Sequence, residues 1–130
     1  MRVVLVPCSF GETADRIAIL TIKSERMRDP AQLENVRRAL AAVSAPFFAA
    51  VARGGEFDAL FAALKAVNER LWDVEDKIRD CERRGDFGAG FVALARAVYT
   101  ANDERAALKR ALDTLLGSEL REEKSYAGGV

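Results

Sequence analysis

The sequence contains no histidine. That removes the commonest general base and the commonest transition-metal ligand together. Cysteine is scarce: Cys8 and Cys81 stand alone, with neither a paired zinc spacing nor a C-x-x-C. Free thiols in a reducing compartment are the reading that fits them. Net charge is missing as well, since 20 basic residues balance 20 acidic ones. A nucleic-acid binder needs a basic excess on some face and a membrane-surface helix a basic stripe, so neither partner is expected. Long apolar runs are also lacking. The opening MRVVLVPCSF has an apolar run of only four residues before Pro7, too short for the apolar region of a signal peptide, and the expected compartment is the cytoplasm. No P-loop, G-x-S-x-G, H-E-x-x-H or dinucleotide fingerprint occurs, and no cofactor is expected.

What is present is helical rhythm. With 130 residues, 50% hydrophobic and 31% charged, the chain has the profile of one helical domain. Residues 1–8 form an extended segment, in which the β-branched RVVLV could make one short strand. Residues 9–53 hold two helices. Ser9 with Glu12 three positions on is a capping box for the first, and Asp29-Pro30 ends it and caps the second. Pro46 should kink or restart that second helix near Ser44. Residues 56–116 carry the clearest pattern. Phe57, Leu60, Leu64, Val67, Leu71, Val74, Ile78 and Cys81 recur at steps of three and four. After a glycine-rich break the rhythm returns in Phe91, Leu94, Val98, Ala101, Arg105, Leu108, Leu112 and Leu115. Two such runs make a long antiparallel helical hairpin. Residues 117–130 are a polar tail, in which REEKSY could pair with the first strand. The expected fold is an all-α four-helix bundle built on that hairpin, with the two N-terminal helices on its Asn68/Asn102 flank.

The first helix is too apolar for a surface helix. At about 100° per residue, Glu12, Asp15, Arg16, Lys23 and Arg26 fall in one arc with Ile19, and most of the remaining girth is apolar. An apolar arc that wide implies burial against more than one neighbour, both the hairpin and the second helix. The charged arc is then its exit to water, and an exposed Ile19 there would mark a contact surface.

Two constellations could carry chemistry. Folding the hairpin about its loop sets Asn68 opposite Asn102 and Arg70 opposite Glu104, with Trp72 and Tyr99 on the asparagine flank. Arg105 occupies a seam position among apolar residues, where an unpaired charge is costly. It either satisfies Asn68 or a carboxylate of the first helix, or it joins Asn68, Trp72, Tyr99 and Asn102 in a pocket for a small anionic or sugar-like ligand. The second constellation is carboxylate-based: Glu12 with Asp15, and Asp73 with Asp76, each pair three residues apart and so on one helical face. Two such pairs on adjacent helices could hold Mg²⁺, although chance pairs are expected with 20 acidic residues among 130.

The segments SFGETADRIAILTIKSERMRDP, QLENVRR, LKAVNERLWDVEDKIRDCE, FVALARAVYTANDERAALKR and GSELREEKSY resemble a bacterial family of proteins of about this length, catalogued only as a domain of unknown function. The resemblance covers most of the chain, departing around Pro46 and at AGGV. It implies no established activity or catalytic residue, and it tilts a ligand towards sugars through a surface-polysaccharide setting. The expected function is therefore non-catalytic: an interaction or accessory protein with a protein partner or a second copy of itself. The alternative is a Mg²⁺-dependent hydrolase, or a binder, of a nucleotide or sugar nucleotide.

Overall fold

The computed structural model describes residues 2–126, and within them the chain is a helical bundle. Four helices follow one another: α1 (Phe10–Arg26), α2 (Pro30–Ala50), α3 (Gly55–Arg84) and α4 (Ala89–Leu115). Local signals set the boundaries. Ser9 Oγ accepts the Glu12 N–H at 3.0 Å, and Asp29 Oδ2 accepts that of Gln32 at 2.9 Å with Pro30 behind it. At the far end of α3, Gly85 takes the left-handed conformation (φ 64°) that turns the chain into the hairpin. Pro46 does not restart α2, which is continuous from Pro30 to Ala50.

α3 and α4 form the long hairpin, and α1 lies against both of its arms as well as against α2. This accounts for the wide apolar girth of α1: Ala14, Ile17, Ala18, Leu20 and Ile22 are all buried. The arrangement of α2 differs from expectation. Its backbone approaches only α1, and it reaches the hairpin through a Phe cluster in which Phe47 and Phe48 meet Phe57 and Phe61. Among the described residues no helix is long and apolar enough to cross a membrane.

The termini also correct the sequence reading. No strand forms among the described residues, so RVVLV and REEKSY do not pair. The tail runs back along the bundle instead, as a strap. Ser118 Oγ accepts the Phe10 N–H at 3.3 Å, and the Glu122 N–H donates to Asp113 Oδ2 at 2.7 Å. The AGGV end lies outside the described residues.

Candidate functional site

The charged arc of α1 is not simply an exit to water. Asp15, expected in that arc, is only 2% exposed. It is the centre of a buried polar network. Arg105 grips it with two hydrogen bonds, Nε to Oδ1 at 2.9 Å and Nη2 to Oδ2 at 2.5 Å. Asn68 Nδ2 adds a third, to Oδ1 at 2.9 Å. The fork geometry of a guanidinium suits such a two-point grip. The hydrogen bonds that Arg105 donates to Asp15 raise its pKa further, against the opposing effect of burial.

One turn along α4, Lys109 is buried between two carboxylates, Glu12 at 2.7 Å and Glu122 of the strap at 3.2 Å. Burial pulls its pKa down, but the bonds to Glu12 and Glu122 leave it above the ordinary lysine value. A further turn on, the fully buried Asp113 accepts the Gly11 N–H at the start of α1 (2.7 Å) together with the strap's Glu122 N–H. An anion at a helix N-terminus meets unsatisfied N–H groups and the favourable end of the dipole. Gly11 makes this approach possible: a Cβ there would lie 2.2 Å from the Lys109 carbonyl oxygen.

Beside this network are two cavities that share Asn102 and Arg105. The first, about 290 Å³, lies between α1, α3 and α4. Its apolar floor is Ile19, Ile22 and Leu71, and its polar rim includes Lys23, Asn68, Trp72 and Glu75. The second, about 300 Å³, lies between α4 and the strap and reaches Lys109, Lys124 and Tyr126. Trp72 is steadied by Arg26, whose guanidinium carbon sits 5.8 Å from the ring centroid while its Nη1 holds Asp73 at 2.6 Å.

Hydrogen-bonding capacity is left over in the first cavity. Arg105 spends its Nε and one Nη2 hydrogen on Asp15 and turns Nη1 to Asn102 Oδ1 at 3.4 Å. Of its five N–H donors, two remain. Asn102 keeps its amide donors, and Asn68 uses Nδ2 on Asp15 and Leu64 O without engaging Oδ1. Glu75 pairs with Arg79 on the outer side of α3. Lys23 is half-buried and has no carboxylate in ion-pair range among the described residues. The cavity thus offers donors, acceptors, one unneutralised ammonium and an indole over an apolar floor.

Four of the five predicted pocket residues, Asn68, Trp72, Asn102 and Arg105, line this one cavity. Tyr99 does not. It is exposed on another surface, beside Arg70, Arg96 and Glu104. Ile19 is half-buried in the cavity wall rather than standing free as a contact residue. The carboxylate constellation is not assembled either. Glu12 is tied to Lys109, Asp15 to Arg105 and Asp73 to Arg26, while Asp76 is exposed. The Lys109 and Arg26 ends of α1 are roughly 20 Å apart at 1.5 Å per residue, too far for one cation. No group of three or more acidic or cysteine side chains among the described residues is placed to hold a metal ion.

Sequence reasoning missed Lys23, Lys109, Asp113 and Glu122. A signal for two of them was present: Arg105, Lys109 and Asp113 recur at four-residue steps, a polar stripe on a helix whose neighbouring stripe is apolar. No family model matches the chain, and neither does any curated protein or solved structure.

Proposed function

We propose that the chain is a non-catalytic accessory protein of the cytoplasm that binds a small anionic or sugar-like ligand in the cavity between α1, α3 and α4. One observation carries this reading: Lys23, which pairs with no carboxylate among the described residues, lines the same cavity as Trp72, Asn102 and Arg105, together with Ile19, Ile22 and Leu71. A sugar ring stacks its C–H face on the indole. Its hydroxyls find donors in Asn102 and Arg105 and acceptors in Asn68 and Glu75. A carboxylate or phosphate on the ring meets Lys23.

The surrounding network supports a binding role. Buried ion pairs are a poor source of stability, because desolvation consumes much of the Coulomb gain. A chain that needed only a bundle would do as well with apolar residues at Asp15 and Arg105. Stability given up in this way is typical of recognition sites. The hydrolase alternative has less support, since three of its four carboxylates are held by cations. The two free cysteines agree with a reducing compartment.

Thermal-shift screening tests the proposal, using glucuronate, glucose 1-phosphate and UDP-glucose at millimolar concentration. At least one should raise the melting temperature of the wild type. The rise should vanish in Trp72→Ala and shrink in Lys23→Met. If all three leave the melting temperature unchanged, or if both variants respond like the wild type, the proposal is wrong.

A further inference from the structure

The strap is held to the bundle chiefly at one residue. Gly117, at φ 66°, turns the chain out of α4, and from Ser118 to Tyr126 it forms no helix or strand. Beyond Ser118, the strap's backbone bonds to the bundle, among the described residues, only at Glu122. The Glu122 N–H donates to Asp113 Oδ2 at 2.7 Å, and its carbonyl accepts from Arg110 Nε at 3.3 Å. Its carboxylate adds the 3.2 Å ion pair with the buried Lys109. Two side-chain contacts complete the hold, Arg121 to Thr114 at 3.1 Å and Lys124 to Asp103 at 2.7 Å. Apolar packing contributes little. Leu120 and Tyr126 are 49 and 65% exposed, and about 300 Å³ of space lies between the strap and α4. A segment with few buried apolar contacts and few backbone bonds opens locally at low cost.

The groups left behind decide whether the bundle survives such an opening. Each buried charge beneath the strap has a second partner on a helix. Lys109 keeps Glu12 at 2.7 Å, Asp113 keeps the Gly11 N–H at 2.7 Å, and Arg105 keeps Asp15. Release of the strap therefore strands no buried charge, which is the event that makes breaking such pairs expensive. The side chains it uncovers include Asn102, Arg105 and Lys109. Asn102 and Arg105 also line the cavity between α1, α3 and α4, so the strap covers one side of the two residues whose other side faces that cavity.

We infer that Ser118–Tyr126 is a latch that opens and closes on the folded bundle, pinned at Glu122, and that its closure strengthens ligand binding in the cavity between α1, α3 and α4. The gating presupposes the ligand reading of that cavity, whereas the latch does not. Closure limits the water that competes for the spare donors of Arg105, and a hydrogen bond is stronger where the local dielectric is low. Coupling of this kind is reciprocal, so a bound ligand also holds the latch shut.

Amide exchange of the full chain at single-residue resolution tests the latch without any ligand, because Asp113 accepts two N–H groups from different elements. A strap that opens alone frees the N–H at position 122 while that of Gly11 stays bonded. Protection at position 122 should therefore be lower than at Gly11 by about tenfold or more. Glu122→Gln removes the charge of the pin and keeps its N–H. It should lower protection at position 122 roughly fivefold and leave Gly11 unchanged. Equal protection at the two positions in the wild type, or no change at position 122 in Glu122→Gln, overturns the latch. The gating is read by melting the wild type and Glu122→Gln with glucuronate, glucose 1-phosphate and UDP-glucose. Whichever compound raises the wild-type melting temperature should raise that of Glu122→Gln by less. An equal rise overturns the gating and leaves the latch standing. No rise in the wild type with any of the three overturns the ligand site and the gating together, and the exchange result still decides the latch.

Discussion

At the base of the hairpin α1 and the strap close over α3 and α4, and the seam they cover sets the buried polar residues Asp15, Asn68, Lys109 and Asp113 beside an apolar core of Phe57, Leu64, Val67, Leu71, Ala101 and Leu112. At the tip, beyond the point where Arg26 meets Asp73 and Trp72, the same two helices continue without α1. There the seam is Val74, Ile78, Cys81, Phe91, Leu94 and Val98, all buried or half-buried. Among the described residues, the buried polar groups are thus confined to the half with the most cover. An ordinary apolar seam serves the half with fewer neighbours, so hairpin packing does not require the charges below. The buried polar residues belong to the half where α1 and the strap wall two cavities against the hairpin. We take the base as the working end and the tip as support.

The comparison can be broken most severely at Arg105. The seam position alone suggests that Arg105→Leu is cheap, because an apolar residue replaces a charge. The burial of Asp15 reverses that expectation, since the variant leaves a buried carboxylate with only Asn68. The expected loss is about 3–5 kcal/mol, read by urea denaturation.

Gly11→Ala should come next. Its methyl group would strike the Lys109 backbone, separating α1 from α4 and weakening the strap's hold on Asp113. Overpacking of this kind costs roughly 3 kcal/mol, and proteolysis should then cut first within Gly117–Tyr126.

The tip should respond less. Ile78 is only half-buried, so Ile78→Ala should cost about 1–2 kcal/mol, below the range for fully buried sites, and leave ligand response unchanged. Amide exchange should sharpen the same contrast: protection in Glu75–Val98 should be lower than in the α1-covered turns of α3 and α4.

The smallest effect concerns pH. The folded pKa of Lys109 lies above its ordinary value of 10.5. Its stabilising contribution is therefore complete below about 10.5 and is lost as pH rises through the folded value. The wild type should lose stability more steeply than Lys109→Met above pH 10, with parallel curves between pH 6 and 9.

Much of the frame was legible in the sequence because its signals are local. Ser9, Asp29 and Gly85 act within one turn of their own positions, and the wide apolar girth of α1 correctly announced several neighbours. The Arg70–Glu104 pairing also forms as expected from folding the hairpin about its loop. The site was legible in part. Arg105 needed a partner, and a helix-one carboxylate was one of two choices, but nothing local separates Asp15 from Glu12. Tyr99 was misplaced because it lies beside Arg70, Arg96 and Glu104 on a face of the hairpin that α1 does not line. Lys109 and Asp113 escaped notice because their partners, Glu12, Gly11 and the strap's Glu122, meet them only through tertiary folding. Position in the helical rhythm says that a residue is covered, not by what.

The most direct measurement is thermal melting of Asp15→Leu/Arg105→Leu beside the wild type, with and without glucuronate, glucose 1-phosphate and UDP-glucose. If the polar seam exists for recognition, the double variant should recover most of what Arg105→Leu alone loses, because no buried charge is stranded. It should melt near or above the wild type and show no ligand-induced rise. A double variant less stable than Arg105→Leu alone, or one that keeps the wild type's ligand response, would contradict the account.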